Sequence, residues 1–409
     1  MAVLMPPPPP AAAPLPKGGG KATGREENLH LPPGRGVTES KTQGTHSTGF
    51  AGASLSPHPG FAADLTGPVS WEPNGSERAA GAVTGKAVTG KAVTGKAVTG
   101  KRSGKIPARG RMGIAIYPIT PDFVAEIGDV VLSATLAPAD MEAVREAFWK
   151  YAVLIFPEQH LSQEQHLAFA ARFGPLEEGT RLGRGDRPLR VARELADVSN
   201  IDQEGDLLEP ASRLRRYQAG NQLWHTDASF RRVPALCSLL YASTVVPIGG
   251  HTEFADQRAG FDALPKQMQR KLAGKVAEHS IFTSRARLGM TDFEPEELER
   301  LPAVPQVLVR TIPESGRKSL YVAAHAGRIF GMPEAEGRAL IDELLAHTTQ
   351  RRFVYTHRWR NNDLVMWDNR CTLHRGTDYD AARWKRIMQR ATVADVANSC
   401  EQEGVSIPA

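Results

Sequence analysis

The segment Trp224-His225-Thr226-Asp227 places an imidazole and a carboxylate two residues apart. On a β-strand, residues i and i+2 project from one face, so His225 and Asp227 can hold one ion together; on a helix they would diverge. The pair alone carries little weight. A chain with twelve histidines produces about one such spacing by chance, and His251-Thr252-Glu253 is a rival with the same spacing. A second cluster shifts the balance. Met366–Gly376 reads MWDNRCTLHRG, contains His374, and is followed by Arg383, Lys385, Arg386 and Arg390. Two histidines and one carboxylate on one face leave three coordination positions open, the arrangement of non-haem Fe(II) oxygenases. A nearby arginine presents a planar fork to a carboxylate, as a 2-oxo acid co-substrate needs.

The elements that must position these groups are legible in outline. Pro138–Trp149 has helical spacing, with Met141, Val144 and Phe148 on one face and Asp140 in the first turn. Tyr151–Phe156 is a short apolar run ended by Pro157 and reads as a buried strand. Ser162–Gln165 is a capping-box start, and its helix should run through Leu167, Phe169 and Phe173 to Gly174. Gly179–Tyr217 is polar and Arg-rich, a long excursion of the kind that forms lids, with one candidate strand at Val198–Ile201. Beyond Leu223 the texture is β-rich: Leu236–Val246, Val307–Ile312, Ser319–Ala323 and Leu364–Trp367 read as strands. Pro265–Ala273 and Pro333–His347 read as helices. Strands separated by long insertions, without regular βα alternation, predict a mainly β fold with flanking helices, a β-sandwich or jelly-roll core. Such a core can bring His225 and His374 together at one open end although they lie about 150 residues apart.

Taken together, Ala152–Gln159 with FGPL (173–176), WHTDASF (224–230), GGHTEFAD (249–256), WDNRCTLHRG (367–376) and RIMQRAT (386–392) resemble the taurine dioxygenase / 2,4-dichlorophenoxyacetate dioxygenase family of Fe(II)- and 2-oxoglutarate-dependent enzymes. The resemblance covers Ile116–Val396 and implies a double-stranded β-helix, cupin-like. By it, His225, Asp227 and His374 match the iron ligands. Thr252 matches the hydroxyl that binds 2-oxoglutarate, which makes His251 and Glu253 neighbours and not ligands. Arg386 matches the arginine that clamps the distal carboxylate of 2-oxoglutarate. Arg390 matches an arginine near the substrate or co-substrate anion, and Asn221 a position in the substrate pocket. One departure stands out: the family's arginine usually lies eleven residues after the last histidine, where this chain has Lys385. A one-residue insertion in the preceding loop restores the register, and an ammonium lacks the guanidinium fork.

The chemistry so implied is oxidation of 2-oxoglutarate by O2 to succinate and carbon dioxide, coupled to hydroxylation of a small organic acid. Thr349–Trp359, Asp363–Arg370 and Lys318–Arg328 resemble the phenoxyacetate-cleaving branch. There, hydroxylation beside the ether oxygen releases a phenol and glyoxylate. Taurine or another alkylsulfonate is the alternative substrate class. A metal-free jelly-roll binding protein is the alternative of another kind. Asp368 and Asn369 are candidates to orient His374, or simply turn residues. Trp224 and Trp367 read as core packing beside the metal, and Cys371 as a small buried residue. Arg213–Arg216 reads as a solvated face. No pattern assigns a role to His279, His325 or His357.

Composition bounds the rest. Residues 1–112 hold 14 Pro and 19 Gly, and their 14 Lys+Arg against 6 Asp+Glu give a net +8. The whole chain carries +5, so residues 113–409 carry −3, which argues against a nucleic-acid-binding core. AVTGK recurs four times over residues 82–101; one valine per unit cannot bury a core, so the tail is expected to be disordered. Two domains follow: a basic low-complexity tail (1–112) and the dioxygenase domain (113–409), with Met112 a candidate start of the native protein. Three scattered cysteines suit neither a disulfide framework nor a thiolate zinc site. No apolar run is long enough for a membrane span and no signal peptide is evident, which points to the cytoplasm. The oligomeric state is left open.

Overall fold

The computed structural model describes residues 113–179, 182 and 189–407, all within the second of two units into which the chain divides, Gly100–Ala409. The basic tail, its repeat and part of the Arg-rich excursion lie outside the described residues. What is described is mainly β-sheet with helices. The largest sheet has seven strands in the order β1 (Ala115–Pro118), β2 (Val124–Gly128), β3 (Val153–Phe156), β13 (Leu364–Asp368), β5 (Ala235–Thr244), β15 (Ile387–Ala394) and β4 (Leu195–Asp197). Every pairing in it is antiparallel except β2 with β3. A three-stranded sheet follows the order β12 (Val354–His357), β6 (Thr252–Asp256), β14 (Thr372–Gly376). Another joins β11 (Ala326–Ile329), β7 (Val276–His279) and β8 (Val304–Val307), and β10 (Lys318–Leu320) pairs with β9 (Val309–Thr311).

The central strands of the large sheet are apolar on both faces, and their alternation sorts side chains into two cores. Leu154, Phe156, Leu239, Tyr241, Leu364 and Met366 pack with the helices Pro138–Tyr151 and Gln163–Ala170. Their sequence neighbours Val153, Ile155, Leu240, Val365 and Trp367 face the other way and pack with Phe254 of β6. The second core therefore lies between the large sheet and the β12–β6–β14 sheet. The functional groups come from this inner side.

Local physics explains where the elements depart from the periodic reading. Tyr151 belongs to the first helix; Ala152, at φ 62°, ends it, so the strand starts at Val153. The Ser162 capping box forms as expected, with Gln165 reciprocating. That helix stops at Ala170, where Arg172 and Phe173 make tighter i→i+3 bonds. Phe173 still packs edge-on against Phe148 and Phe169. Val307–Ile312 is not one strand. Val307 ends β8, Leu308 donates to the carbonyl of Lys275, and β9 starts at Val309 with a new partner. In the Arg-rich excursion the strand itself is Leu195–Asp197, earlier than expected, and past its end Val198 and Asn200 still donate to the carbonyls of Met388 and Arg386. Ser319–Ala323 is strand only to Leu320.

Two buried histidines in this framework give a pH dependence. His166 lies against the carbonyl of Leu239 at 3.1 Å, and burial pushes its pKa down to about 4. His279 lies 3.0 Å from Ser229 Oγ and is pushed down by burial to about 3. Between these values and the ordinary 6.5 the unfolded chain binds protons that the folded state refuses. Stability is therefore complete above pH 6.5 and falls as pH drops, by ~1.4 kcal/mol per unit for each histidine. Urea unfolding at pH 7 and pH 5 should show the loss, and His166→Gln should lessen it.

Candidate active site

His225 and His374 face one another across an isolated antiparallel bridge, each backbone N–H donating to the other's carbonyl at 3.0 and 2.8 Å. Their ring centroids are 4.1 Å apart. Asp227 completes the cluster: its Oδ1 is 3.9 Å from His225 Nε2 and its Oδ2 3.7 Å from His374 Nε2. All three residues are buried. Among the described residues these are the three metal-ligating side chains whose donor atoms gather close enough, within 4.8 Å, to share one ion.

The cluster forms, but not through strand alternation. Only His225 is bridged; the chain turns after it, with Ala228 at φ 50°. Asn369 holds this turn. Its Oδ1 accepts from the Asp227 N–H at 3.1 Å and from Trp367 Nε1 at 2.9 Å. Its Nδ2 donates to Ser238 Oγ at 2.9 Å, and that hydroxyl donates to Asp227 Oδ2 at 2.7 Å. Asn369 thus braces Asp227, and does not orient His374. Asp368 does not orient His374 either, since it falls on the opposite face of β13 and pairs with Arg370 at 2.8 Å. Asn369→Ala is expected to weaken Mn(II) binding by ~10–100-fold, as loss of a group that orients a ligand does; calorimetric titration of the two proteins reads it directly.

The imidazoles are prepared as neutral donors. His225 Nδ1–H donates to the Leu223 carbonyl at 2.7 Å, which leaves the Nε2 lone pair directed at the cluster. Burial lowers the pKa of both histidines. Burial alone would raise that of Asp227, yet Arg390 and the two imidazoles hold it below the usual carboxylate value. Two neutral imidazoles and a carboxylate with an unfilled side suit Fe(II) and similar divalent ions.

Register explains why the rival HxE pair fails. Thr252 and Phe254 share the inner face of β6, and Phe254 is the cross-strand partner of His374. Glu253 points the other way and pairs with Arg375 at 2.8 Å. Thr252 is buried, and its Oγ1 accepts from Trp359 Nε1 at 3.0 Å. Arg386 is buried beside Gly250, and among the described residues it has no carboxylate partner. Burial lowers its pKa to about 10, so the charge remains at neutral pH. Lys385 is half-exposed and lies 3.9 Å from Asp206. Arg390 reaches Asp227 Oδ1 at 2.5 Å.

A pocket opens beside His225 and Asp227, lined also by Asn221, Arg390, Arg285, His325, Tyr217 and Glu177. The last four escaped the sequence reading. His325 is wholly encased, 6.0 Å ring to ring from His225, and only proximity in three dimensions distinguishes it from other histidines. Glu177, partly buried, pairs with Arg231 at 3.3 Å, yet desolvation pushes its pKa up to about 7. Trp367 and Cys371 are core residues as expected, Trp367 lying 4.6 Å from the His374 ring. Trp224 is half-buried and stacks with Arg375. Arg213 and Arg216 are not a free solvated face; they pair with Glu297 and Asp292.

The profile of the taurine catabolism dioxygenase TauD, TfdA family matches residues 115–392. The chain is 45% identical over 287 residues to an alpha-ketoglutarate-dependent 2,4-dichlorophenoxyacetate dioxygenase of Cupriavidus pinatubonensis, covering 70% of this chain and 99% of that protein. It is 35% identical to an (S)-phenoxypropionate/alpha-ketoglutarate-dioxygenase of Sphingobium herbicidovorans, covering 68% and 94%. Among solved structures, AAD-2 in complex with Mn(II) and N-oxalylglycine is similar at a TM-score of 0.65 and 44% identity, covering 70% of this chain and 99% of that one. With its paired histidines, its aspartate and these relatives, the chain belongs to the TauD/TfdA family.

Proposed function

We propose that the protein is an Fe(II)- and 2-oxoglutarate-dependent dioxygenase that hydroxylates an aryloxyalkanoate such as 2,4-dichlorophenoxyacetate beside its ether oxygen, giving a phenol, glyoxylate, succinate and carbon dioxide. The observation that carries this reading is the meeting of His225, Asp227 and His374 as one buried ligand set, with His225 and Asp227 lining a pocket. The similarity to 2,4-dichlorophenoxyacetate and phenoxypropionate dioxygenases favours this substrate class over taurine. The fold is read as a double-stranded β-helix, with the seven-stranded sheet and the β12–β6–β14 sheet as its two layers. Residues 113–409 form the catalytic domain in this reading, and residues 1–112 are a separate basic, low-complexity stretch of sequence.

In this mechanism His225, Asp227 and His374 would hold the iron. Iron, when bound, supplies the activation of O2 and the oxidising power for the C–H bond. Arg386 would take the distal carboxylate of 2-oxoglutarate through its planar fork, and the Thr252 hydroxyl would be a further contact to 2-oxoglutarate. Trp359 donates to Thr252 Oγ1 and so directs the hydroxyl's own proton toward an incoming anion. Asn369 and Ser238 keep Asp227 from swinging away. Asn221 and Arg390 line the substrate side of the pocket, and the buried walls exclude water from the reacting carbon.

Succinate release from the protein supplied with Fe(II), 2-oxoglutarate and 2,4-dichlorophenoxyacetate is the test, with His374→Ala as blank. One phenol per succinate is expected. Sulfite from taurine with no phenol would move the substrate to the sulfonates, and absence of any 2-oxoglutarate turnover or binding would overturn the enzyme reading.

A further inference from the structure

The pocket beside His225 contains a second buried cation to which sequence motifs give no role. Arg285 is 4% exposed and lines the pocket wall on the short helix Ile281–Ala286. Its guanidinium lies 4.2 Å from the centroid of the Tyr217 ring and against the backbone of Gly220, where any side chain would overlap it. One nitrogen, Nη1, donates to Ser284 Oγ at 2.9 Å, and that hydroxyl is in turn tied to the Ile281 carbonyl at 2.7 Å. The Nε–H is buried and has no hydrogen-bond partner among the described residues.

The other guanidiniums of the pocket are differently placed. Arg390 is committed to Asp227, Arg231 to Glu177, and Arg193 is exposed. No carboxylate among the described residues pairs with Arg285. A guanidinium cannot shed its charge at neutral pH, so burying it without a counterion is costly. Burial lowers the pKa of Arg285, Tyr217 opposes that and the positive charge of Arg390 adds to it, so Arg285 itself lacks a counterion. Next to it, Leu182, Phe230 and Ile281 form an apolar cluster that lines the same pocket. A buried fork beside an apolar wall matches a ligand with a carboxylate at one end and a hydrocarbon ring at the other. It matches taurine less well, because with the sulfonate on the guanidinium the ammonium would face this apolar cluster.

We propose that Arg285, steadied by Tyr217 and Gly220, is the specificity residue that binds the carboxylate of an aryl-bearing acid substrate; this rests on the dioxygenase reading above. Arg285 touches the substrate's charge and not its reacting carbon, so it governs which molecules bind.

Titration calorimetry of the full chain loaded with Mn(II) and N-oxalylglycine tests this without turnover. The two ligands are 2,4-dichlorophenoxyacetate and its neutral amide. The unaltered protein should prefer the acid. Arg285→Gln should weaken acid binding on the order of 100-fold, as truncating one member of a buried charge pair does, and change amide binding by less than about threefold. Arg285→Lys should recover part of the acid affinity, since it keeps the charge and loses the fork. Equal losses for acid and amide would make Arg285 a structural residue and overturn the proposal, as would acid binding that survives Arg285→Gln. An unaltered protein that binds N-oxalylglycine but shows no preference for the acid would sink this inference alone. One that fails to bind N-oxalylglycine would sink the dioxygenase reading itself.

Discussion

Asp227→Ala is expected to reduce 2-oxoglutarate-dependent turnover by ~10³-fold or more, because removing a ligand must exceed the ~10–100-fold cost of disturbing only its support. The change has three local consequences. The two imidazoles lose the anion that offsets a divalent charge. Arg390, 2.5 Å from Asp227 Oδ1, loses its partner beside the open side of the site. Ser238 Oγ loses the acceptor through which Asn369 stabilises the turn. Mn(II) titration should show binding lost along with turnover, whereas Asn369→Ala should retain weakened binding. If Asp227→Ala kept near-normal metal affinity, the carboxylate ligand would have to be sought elsewhere, and the reading of WHTD with it.

Arg386→Met should separate ligand binding from folding in opposite directions. Arg386 is buried, and its charge has no carboxylate partner among the described residues. Its noted electrostatic help is the Tyr379 ring, 5.9 Å away. Replacing an uncompensated buried charge by an apolar side chain of similar length should stabilise the metal-free protein by about 1–3 kcal/mol. The same substitution should weaken 2-oxoglutarate by about 100–1000-fold, since a charge-assisted, two-pronged contact is lost. Urea unfolding of the metal-free protein and titration of the Mn(II)-loaded protein with 2-oxoglutarate read the two effects. A residue held in place for a structural purpose would lose stability on substitution, so a less stable variant with intact 2-oxoglutarate binding would refute the assignment. Lys385, half-exposed near Asp206, should tolerate the corresponding change with little effect on either measurement.

These two residues show how unevenly the site could be read from the chain. Arg386 was singled out because RIMQRAT keeps its order across a one-residue insertion; what the fold adds is that this arginine is buried. Asp227 was legible as a ligand candidate, but the argument for it was wrong in detail. Strand alternation was expected to aim His225 and Asp227 together, whereas a turn after His225, tied to Asn369 from 142 residues away, does so. Asn369 itself could be noticed only as a neighbour of His374, and its hydrogen bonds lead to Asp227 instead. Thr252 was separable from Glu253 in three dimensions because register with β14 sets which face of β6 is inward. Arg285 had no signal at all: one arginine in a short helix, outside every motif.

The residue types the chemistry needs, the capping box at Ser162, the apolar strands and the family could be read along the chain, because these rest on local spacing and on motif order. Which charges are paired emerges with the folded interior. Pairing depends on approaches between segments more than a hundred residues apart, as with Arg390 and Asp227, or on the lack of such an approach for Arg386 and Arg285. Desolvation then converts each unpaired charge into a demand for a ligand, and that demand is a property of the folded interior alone.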